Sequence, residues 1–437
     1  MTILNYIRYI AWLSLEGLKS DSVTKHLSQI EKLMSDDEYY KKHLHTQLQK
    51  LLSYSTEHVN YYHAFKNEGT YQLEDFPVIN KNLLMTNTSG FQSDEFAQSQ
   101  LHEMSTSGST GRPFKITQNA EKRRRVLAEI LYFSGLLGYK PGKKFVYLRN
   151  LEPGFSKSKL KKFLQNEEVI FTRKYDNTTL NTIVSQLKSL ENHTTMLGYA
   201  STLQVIASYM EANNIKMHNI TGIISGAEAL TLKARKLVAQ QFGCPVVSRY
   251  SNQEMGILAQ DNKADEFMLN RASYIFEVLS MNDNTPVKEG EMGRIVITDL
   301  YNFATPLIRY DTGDLGIMKK DTNGRPYFAK VCGRKLDLLY TTHNEPISFF
   351  ALDHLFETNY DIEQYQIIQN TRYDFTLNLL LKKGKVINEV ECIEGIQSVL
   401  GKDCKVTVNY LDAVPITASG KFRYVICNYT PNLGNKE

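Results

Sequence analysis

The segment of the sequence with the clearest potential for chemistry is STSGSTGRPFK, at residues 105–115, which groups small hydroxyls around two glycines. Glycine lets the backbone turn sharply and approach a ligand closely. Exposed N–H groups and hydroxyls can then bind phosphate oxygens. The Walker spacing G-x-x-x-x-G-K-[ST] is absent. A solvated surface turn is the alternative, because Ser, Gly and Thr are common loop residues.

Two further segments carry side chains that suit a nucleotide. The run RYSNQEMG (249–256) places the ring of Tyr250 four residues before the carboxylate of Glu254. A ring can stack on a purine, and a carboxylate can bind the Mg²⁺ that accompanies a triphosphate. The run SGAEAL (225–230) ends a strand-like stretch with small residues, which allows a flat ring to approach. Taken alone, Tyr250 is better explained as a core tyrosine and Glu254 as a charge at a helix N-terminus.

Two polar residues nearer the C-terminus extend the set. Asp314 lies in IRYDTGDLG (308–316), and its carboxylate can accept hydrogen bonds from both ribose hydroxyls. Lys421 follows a Ser-Gly turn in VPITASGKFRY, where its cation can reach a phosphate. Simple turn chemistry and a solvated surface lysine are the alternatives. The prediction of a nucleotide site therefore depends on finding all these segments in one chain order.

The surrounding elements predict a layered α/β protein. Apolar positions recur at three- and four-residue intervals in residues 1–100, which predicts helices. Strand-like runs at 144–150, 219–226 and 243–250 then alternate with helical patterns such as 231–242. A β-rich stretch follows them.

The length of 437 residues favours more than one domain. After GRKLD (333–337) the pattern resets to a small α+β unit. We therefore expect a large N-terminal domain at 1–333 and a small C-terminal domain at 334–437.

Composition argues against several classes of protein. A formal net charge of +4 is too small to indicate a nucleic-acid partner. The five cysteines form no C-x-x-C pair, so neither zinc nor a disulfide framework is expected. Arg8 and Glu16 interrupt the apolar N-terminal run short of a membrane span, and no signal-peptide pattern follows. We expect an amphipathic helix packed on the body, with a peripheral membrane contact as the alternative.

The order of the motifs resembles the adenylate-forming superfamily of acyl-CoA synthetases, luciferases and peptide-synthetase adenylation domains. Within it, the chain is similar to the phenylacetate–coenzyme A ligase and CapK capsular-polysaccharide group. STSGSTGRP, SGAEAL, RYSNQEMG, PLIRYDTGDLG, VCGRKLD and ITASGKFRY carry the resemblance almost from end to end. It implies an α/β adenylate-forming fold: a large N-terminal domain with a β-rich subdomain, and a small, mobile C-terminal α+β lid that rotates after adenylation.

The resemblance also implies roles for individual residues in ATP- and Mg²⁺-dependent adenylation of a carboxylic acid. Glu254 would bind Mg²⁺, Asp314 the ribose, and Arg334 the ribose or a phosphate. Lys421 would bridge the reacting carboxylate and the α-phosphate. The nucleotide-binding set further comprises Thr106, Ser107, Gly108, Ser109, Thr110 and Gly111 at the β,γ-phosphates, Gly226, Ala227 and Glu228 at the adenine, Tyr250 stacked on it, and Ser251, Asn252 and Gln253 beside it. Candidates for the acid pocket are Tyr132, Tyr199 and Ser225.

The chain departs from the family pattern in the first loop, before the magnesium glutamate, at the hinge and beside the acceptor tunnel. Phe114, Gln253 and Leu336 replace usual residues, and LLYTTHNEPIS lacks the glycine expected beside a pantetheine tunnel. Coenzyme A, a carrier-protein thiol, and an amine of a sugar or amino acid remain open as acceptors.

The basic cluster Lys122–Arg125 is expected to be a solvated helix face; alternatively it docks an acidic carrier protein or coenzyme A phosphates. A degenerate nucleotide-binding partner in polysaccharide biosynthesis is the non-enzymatic alternative. An ATP-using enzyme is expected in the cytoplasm.

Overall fold

The computed structural model describes residues 2–106, 114–149, 163–172, 175–262, 266–334, 338–347, 352, 355–356, 361–382, 384–412 and 422–429. The helices are α1 (Ile3–Gly17), α2 (Val23–Ser35), α3 (Asp37–His58), α4 (Lys81–Thr86), α5 (Ala120–Gly135), α6 (Asn177–Ser189), α7 (Ala200–Ala212), α8 (Leu232–Phe242) and α9 (Glu389–Leu400). The strands of residues 2–334 are β1 (Ile79–Asn80), β2 (His102–Thr106), β3 (Phe114–Gln118), β4 (Phe145–Arg149), β5 (Glu167–Phe171), β6 (Thr194–Tyr199), β7 (Ile220–Gly226), β8 (Val246–Asn252), β9 (Gly256–Asp261), β10 (Phe267–Leu269), β11 (Tyr274–Leu279), β12 (Met292–Asp299), β13 (Tyr310–Lys320) and β14 (Pro326–Arg334). Those that follow are β15 (Leu339–Tyr340), β16 (Pro346–Ile347), β17 (Ile362–Gln369), β18 (Asp374–Leu381), β19 (Lys405–Tyr410) and β20 (Val425–Cys427).

One large sheet organises residues 2–334. Its strand order is β11-β12-β13-β14-β10-β9-β8-β7-β6-β4-β5, and β1 pairs with β13. Strands β4, β5, β6, β7 and β8 pair in parallel with their neighbours in this group. The strands on the other side of β8, namely β9 to β14, pair antiparallel along the sheet. Parallel neighbours need crossovers, and α7 and α8 supply them between β6, β7 and β8. The α/β fold, with a β-rich stretch after it, is thus confirmed.

The parallel half of the sheet is covered on both faces. Ile223 of β7 packs in a core with the buried side chains of α6, α7 and α8. Ile224, its neighbour in the chain, packs on the opposite face with Val247 of β8 and Leu131 of α5. Successive side chains of a strand point to opposite faces, so two buried faces produce the apolar runs seen in the sequence. The carboxyl ends of β6, β7 and β8 meet along one edge of the sheet.

The antiparallel half packs against the helical N-terminal region. Leu51 and Leu52 of α3 share a core with Ile295 and Ile297 of β12 and with Phe328 of β14. This core supports the strands that carry Tyr250 and Asp314.

The C-terminal part has its own sheet and core. The strand order is β19-β18-β17-β20, and Ile396 of α9 packs into the core beneath it. Lys233 of α8 donates to the carbonyl of Ile362 at 2.5 Å, and Gln204 of α7 donates to that of Glu363 at 2.6 Å. The predicted small α+β unit is confirmed. Its boundary, between residues 333 and 334, stays a prediction.

The N-terminal helix α1 is oriented differently from the expectation. It buries polar side chains: Asn5 donates to Glu191 at 2.8 Å, and Glu16 accepts from the backbone N–H of Val23 at 2.8 Å. Its large apolar side chains are mostly exposed, namely Ile3, Leu4, Tyr6, Ile7, Ile10 and Leu15. Specific polar contacts, rather than an apolar face, therefore hold α1 on the body. None of the helices in the described part of the chain has the length and apolarity of a membrane span.

Candidate active site

Tyr250 and Asp314 form a hydrogen-bonded pair near the edge where the parallel strands end. The hydroxyl of Tyr250, on β8, donates to Oδ2 of Asp314, on β13, at 2.7 Å. The Tyr250 ring packs edge-on against Phe328, with 6.5 Å between ring centroids. Burial and the charge of Asp314 raise the pKa of Tyr250 well above its usual value, so the phenol stays protonated. The bond orients the carboxylate of Asp314, which is half-buried.

Glu254 lies in the turn that joins β8 to β9. The residue is only 8% exposed, yet its carboxylate has no hydrogen bond or ion pair with the rest of the described chain. The backbone is fixed instead: the Glu254 carbonyl accepts from Gln118 Nε2 at 2.9 Å. A largely buried carboxylate without a partner is costly unless a cation compensates its charge. The geometry therefore fits Mg²⁺, which binds one or two protein carboxylates together with substrate phosphates.

The hydroxyl-rich segment connects the strands of the β2–β3 hairpin. Thr106 pairs with Phe114 at the end of the hairpin, and Gln118, at the end of β3, contacts the Glu254 turn. The hairpin thus leads from the candidate metal ligand toward the predicted phosphate loop. Residues 107–113 lie outside the described residues, as does the Thr106 side chain. Phosphate binding by Ser107, Gly108, Ser109, Thr110 and Gly111 stays a prediction.

The residues after β7 connect the large sheet to the C-terminal unit. Strand β7 ends at Gly226, and Ala227 adopts a left-handed conformation with φ of 66°. Glu228 Oε2 accepts from the backbone N–H of Ser201 in the first turn of α7 at 2.9 Å. Its Oε1 accepts from the backbone N–H of Phe422 at 2.7 Å. The Glu228 carboxylate therefore connects the large sheet to the C-terminal unit.

The residue that follows the predicted catalytic lysine takes part in this contact. Lys421 lies outside the described residues, but Phe422 is the next residue, and its backbone N–H is bound to Glu228. Phe422 therefore lies at the turn that follows β7. The bridging role of its ammonium stays a prediction.

The remaining predicted nucleotide residues lie on strands at the same edge. Arg334 ends β14 opposite Asp314 in register, and its side chain lies outside the described residues. Ser251 and Gln253 are exposed beside the Glu254 turn. Asn252 is half-buried, and its side chain accepts a backbone N–H within that turn. Their predicted contacts with the nucleotide remain predictions.

The three residues predicted for the acid pocket are not brought together. Tyr199, at the end of β6, pairs in register with Gly226. Ser225 points to the opposite face of the sheet from Gly226, and its buried Oγ has no partner among the described residues. Tyr132 packs with α2 in a separate cluster. Of the three, Tyr199 lies on the face that α5 covers.

The expectation of a solvated basic face at Lys122–Arg125 is wrong. Lys122 and Arg125 are completely buried. Lys122 Nζ lies 2.7 Å from Asp299 Oδ2, and Arg125 donates from Nε to Ser273 Oγ at 2.9 Å. Arg124 pairs with Asp21 at 2.6 Å. The cluster is buried because strands distant in sequence supply its polar partners, so it offers no docking patch at Lys122 or Arg125.

Buried polar side chains on and beside α5 form hydrogen bonds with the backbone that follows Glu254. The hydroxyl of Tyr274 accepts from Lys122 at 2.9 Å and donates to the carbonyl of Met255 at 2.8 Å. Glu129 Oε2 accepts from the N–H of Ile257 at 3.3 Å. The name α5 cluster is used below for Lys122, Arg125, Glu129, Tyr274 and Asp299.

Arg249 is a buried residue of this region that the motifs do not single out. It lies on β8 beside Tyr250 and is 7% exposed. Its Nε donates to Gln260 Oε1 at 3.0 Å and its Nη2 to Ser134 Oγ at 3.1 Å. Burial lowers the pKa of Arg249 to about 10, so the side chain is still a cation at neutral pH. An arginine inside the apolar strand run VVSRY was the available signal in the sequence.

Solved structures place this architecture in a class. The chain has the fold of the adenylate-forming ligases. It superposes on 2-hydroxyisobutyryl-CoA ligase in the postadenylation state with a TM-score of 0.73 and 18% identity, covering 91% of this chain and 92% of that one. The anthranilate CoA ligase AuaEII, in complex with anthranoyl-AMP, matches with a TM-score of 0.56 and 14% identity over 76% and 67% of the two chains.

A narrower likeness is found in sequence. A family model described as the CapK C-terminal domain matches residues 339–428. Protein CapK of Staphylococcus aureus is 24% identical over 351 residues, which cover 76% of this chain and 75% of CapK. The resemblance to the adenylate-forming superfamily and to its CapK group is confirmed.

One solved ligase matches this chain in several states. 2-Hydroxyisobutyryl-CoA ligase matches with a TM-score of 0.73 in the postadenylation state. The same ligase gives 0.58 in an open conformation and 0.59 in the thioesterification state. The TM-score is thus higher for the postadenylation state than for the other two.

Proposed function

We propose that this chain is an adenylate-forming ligase that uses ATP and Mg²⁺ to convert a carboxylic acid to its acyl-AMP, releasing pyrophosphate. The observation that carries the proposal concerns Glu254, in the turn beyond the Tyr250–Asp314 pair: among the described residues its carboxylate has no hydrogen bond or ion pair. Ligands of open α/β sheets bind at the carboxyl ends of the strands. The fold shared with adenylate-forming ligases supports the same reaction class.

In the proposed reaction, a carboxylate oxygen of the acid attacks the α-phosphorus of ATP. A carbon–oxygen–phosphorus linkage forms, the bond from the α-phosphorus to the oxygen bridging to the β-phosphorus breaks, and pyrophosphate leaves. Asp314 accepts hydrogen bonds from the ribose while Tyr250 fixes its orientation. Glu254 would hold Mg²⁺, which when bound would neutralise phosphate charge. Positioning and charge neutralisation are the main sources of rate, because both reactants are anions.

The C-terminal unit completes the proposed site. We assign residues 334–437 to a lid domain that brings Lys421 to the α-phosphate. The Glu228–Phe422 hydrogen bond supports this arrangement, since it holds the chain beside Lys421 at the edge of the sheet. A lid that exchanges Lys421 for the acceptor must break that bond.

The acyl group is then transferred to an acceptor from one of three classes. Coenzyme A, a carrier-protein thiol and an amine of a sugar or amino acid are the candidates. The likeness to CapK supports a role in polysaccharide biosynthesis and hence an amine acceptor; that to CoA ligases supports a thiol. An enzyme that consumes ATP is placed in the cytoplasm.

The test is acid-dependent release of pyrophosphate. The purified protein is incubated with ATP, Mg²⁺ and pooled carboxylic acids, and hydroxylamine traps the acyl-AMP as a hydroxamate. We expect both products to require the acid and Mg²⁺. Glu254→Gln should lower the rate about 10²–10³-fold, the usual loss for one contact that stabilises charge in the transition state. Glu57→Gln, on the exposed side of α3, is the matched control; equal rates for the two variants would contradict the role of Glu254.

A further inference from the structure

Arg249 lies in a row of residues at the carboxyl edge of the parallel strands. It pairs in register with Gly226 of β7, which pairs in turn with Tyr199 of β6. These three residues therefore share one face of the sheet, the face that α5 covers. Tyr250, the next residue along β8, points to the opposite face and carries the ribose partner. One short stretch of strand thus faces two different parts of the site.

The guanidinium of Arg249 is held in place by neutral groups. Gln260 accepts from its Nε, and the Gln260 amide is itself fixed by donating to the carbonyl of Phe133 at 2.9 Å. Ser134 accepts from Nη2. An arginine carries five N–H donors, so these two bonds leave most donors, including both on Nη1, without a partner in the described chain. No carboxylate of the described residues lies within ion-pair distance of Arg249.

A buried cation without a counter-charge is unfavourable unless it serves a ligand. The titratable group that acts on Arg249 electrostatically is the phenol of Tyr147, and burial raises the pKa of that phenol. Arg149 lies over the Tyr147 ring, 5.3 Å from its centroid, and adds a second positive charge. Glu228, the acidic residue of the turn after Gly226, accepts two backbone hydrogen bonds.

The described residues leave open space beside Gly226, the register partner of Arg249. A Cβ built on Gly226 would meet no described atom within 4 Å. Gly226 is the register partner of Arg249, so this space lies directly next to the arginine on the same face. The other in-register neighbour of Gly226 is Tyr199, a half-buried residue at the N-terminus of α7. Gly226 and Tyr199 both lie at the carboxyl edge of the parallel strands, where the acid and the nucleotide are proposed to bind.

We propose that Arg249 binds a second carboxylate on the acid substrate, so that the acid activated by this chain is a dicarboxylic acid. The inference rests on the proposed adenylation. One carboxylate attacks the α-phosphorus, and the other pairs with the free donors of Arg249 on the α5 side of β8. The fixed, planar guanidinium suits bidentate recognition of a carboxylate.

The experiment compares acids of equal carbon number with one or two carboxylates. Succinate, glutarate and adipate are matched with butyrate, valerate and hexanoate, and kcat/KM for hydroxamate formation is measured. For the preferred length, wild-type protein should favour the dicarboxylate about 100-fold or more, since a site built for a polar group rejects an analogue without it. Arg249→Gln should remove most of that preference mainly through KM and change the monocarboxylate rate less than about threefold. Arg249→Lys should keep part of it.

Three results would overturn the assignment. The first is that wild-type protein prefers monocarboxylates at every length. The second is that Arg249→Gln lowers kcat/KM equally for both kinds of acid, which would indicate a structural role. Glutaramate, with a neutral amide tail, could also equal glutarate. Arg325→Gln, on the β13–β14 turn, is the control and should leave the preference unchanged.

Failure of adenylation itself can be told apart. If no acid releases pyrophosphate, the proposed function fails, and calorimetric binding of the same dicarboxylates then tests Arg249 directly. Binding that weakens about 100-fold in Arg249→Gln supports the arginine subsite. Binding that is absent or equal in both proteins contradicts it.

Discussion

The α5 cluster and the surroundings of Arg249 are two buried polar regions along one helix, and they differ in charge balance. In the cluster, the cations Lys122 and Arg125 lie with the carboxyl groups of Glu129 and Asp299. Around Arg249, the partners are neutral oxygens and an open space. Charges that the chain balances itself hold the Glu254 turn in position. A cation left unbalanced at the edge of the strands is available to a ligand.

The largest effect should follow from breaking the α5 cluster. Lys122→Met leaves the Asp299 carboxylate buried without its cation and removes a hydrogen bond to Tyr274. We expect a loss of about 3–5 kcal/mol in the free energy of unfolding, measured by urea denaturation. The Glu254 turn loses support as well, so ATP-dependent activity should fall. A loss under about 1 kcal/mol would show that the cluster is not a structural unit.

The sharpest comparison sets two arginine variants against each other. Arg125→Gln removes a cation with three hydrogen bonds, and we expect a loss of about 2–4 kcal/mol in unfolding free energy. Arg249→Gln removes a cation without a carboxylate partner, so its stability should change by less than about 1 kcal/mol or increase. Both are measured by the same denaturation. Equal losses would make Arg249 a structural residue like Arg125.

A smaller effect is expected at the nucleotide side of β8. Tyr250→Phe keeps the ring but removes the hydrogen bond to the Asp314 carboxylate, worth about 1.5–3 kcal/mol for a charged acceptor. Because Asp314 then loses its orientation, KM for ATP should rise about tenfold while KM for the acid stays constant. Steady-state kinetics with each substrate varied separately gives both values. If only KM for the acid rose, Tyr250 would not act at the nucleotide site.

The smallest effect concerns pH. Burial raises the pKa of Glu129 above its usual value, although Lys122 opposes the shift. The native state therefore holds this proton more tightly than the unfolded state, and the stabilisation is complete only below the unfolded pKa, about 4.5. It is lost as pH rises through the native pKa. Stability of wild type relative to Glu129→Gln should thus fall as pH increases above about 4.5; a relative increase would contradict the sign.

The fold was predictable where local patterns decide it. Strands β7 and β8 and helix α8 follow from apolar runs and helical spacing at 219–250, because both sheet faces are buried there. Helix α1 was predicted as an element but not in its orientation. Its placement depends on contacts of Asn5 and Glu16 with residues that the spacing of apolar positions does not reveal.

The candidate site was predictable as residue types but not as contacts. Tyr250 and Asp314 stand out as motifs, yet their bond joins strands 64 positions apart. Lys122 looks like a solvated lysine because its partners Asp299 and Tyr274 come from the β-rich stretch. Arg249 becomes informative only when the neutrality of its neighbours is known.

The central claim is that a carboxylate oxygen of the acid attacks the α-phosphorus of ATP. The direct measurement uses acid labelled with ¹⁸O in its carboxylate, followed by mass spectrometry of the AMP released after transfer or trapping. The account predicts that one labelled oxygen appears in AMP, with equimolar pyrophosphate, and that Asp314→Ala slows this transfer. Unlabelled AMP, or ADP and phosphate in place of AMP and pyrophosphate, would contradict it.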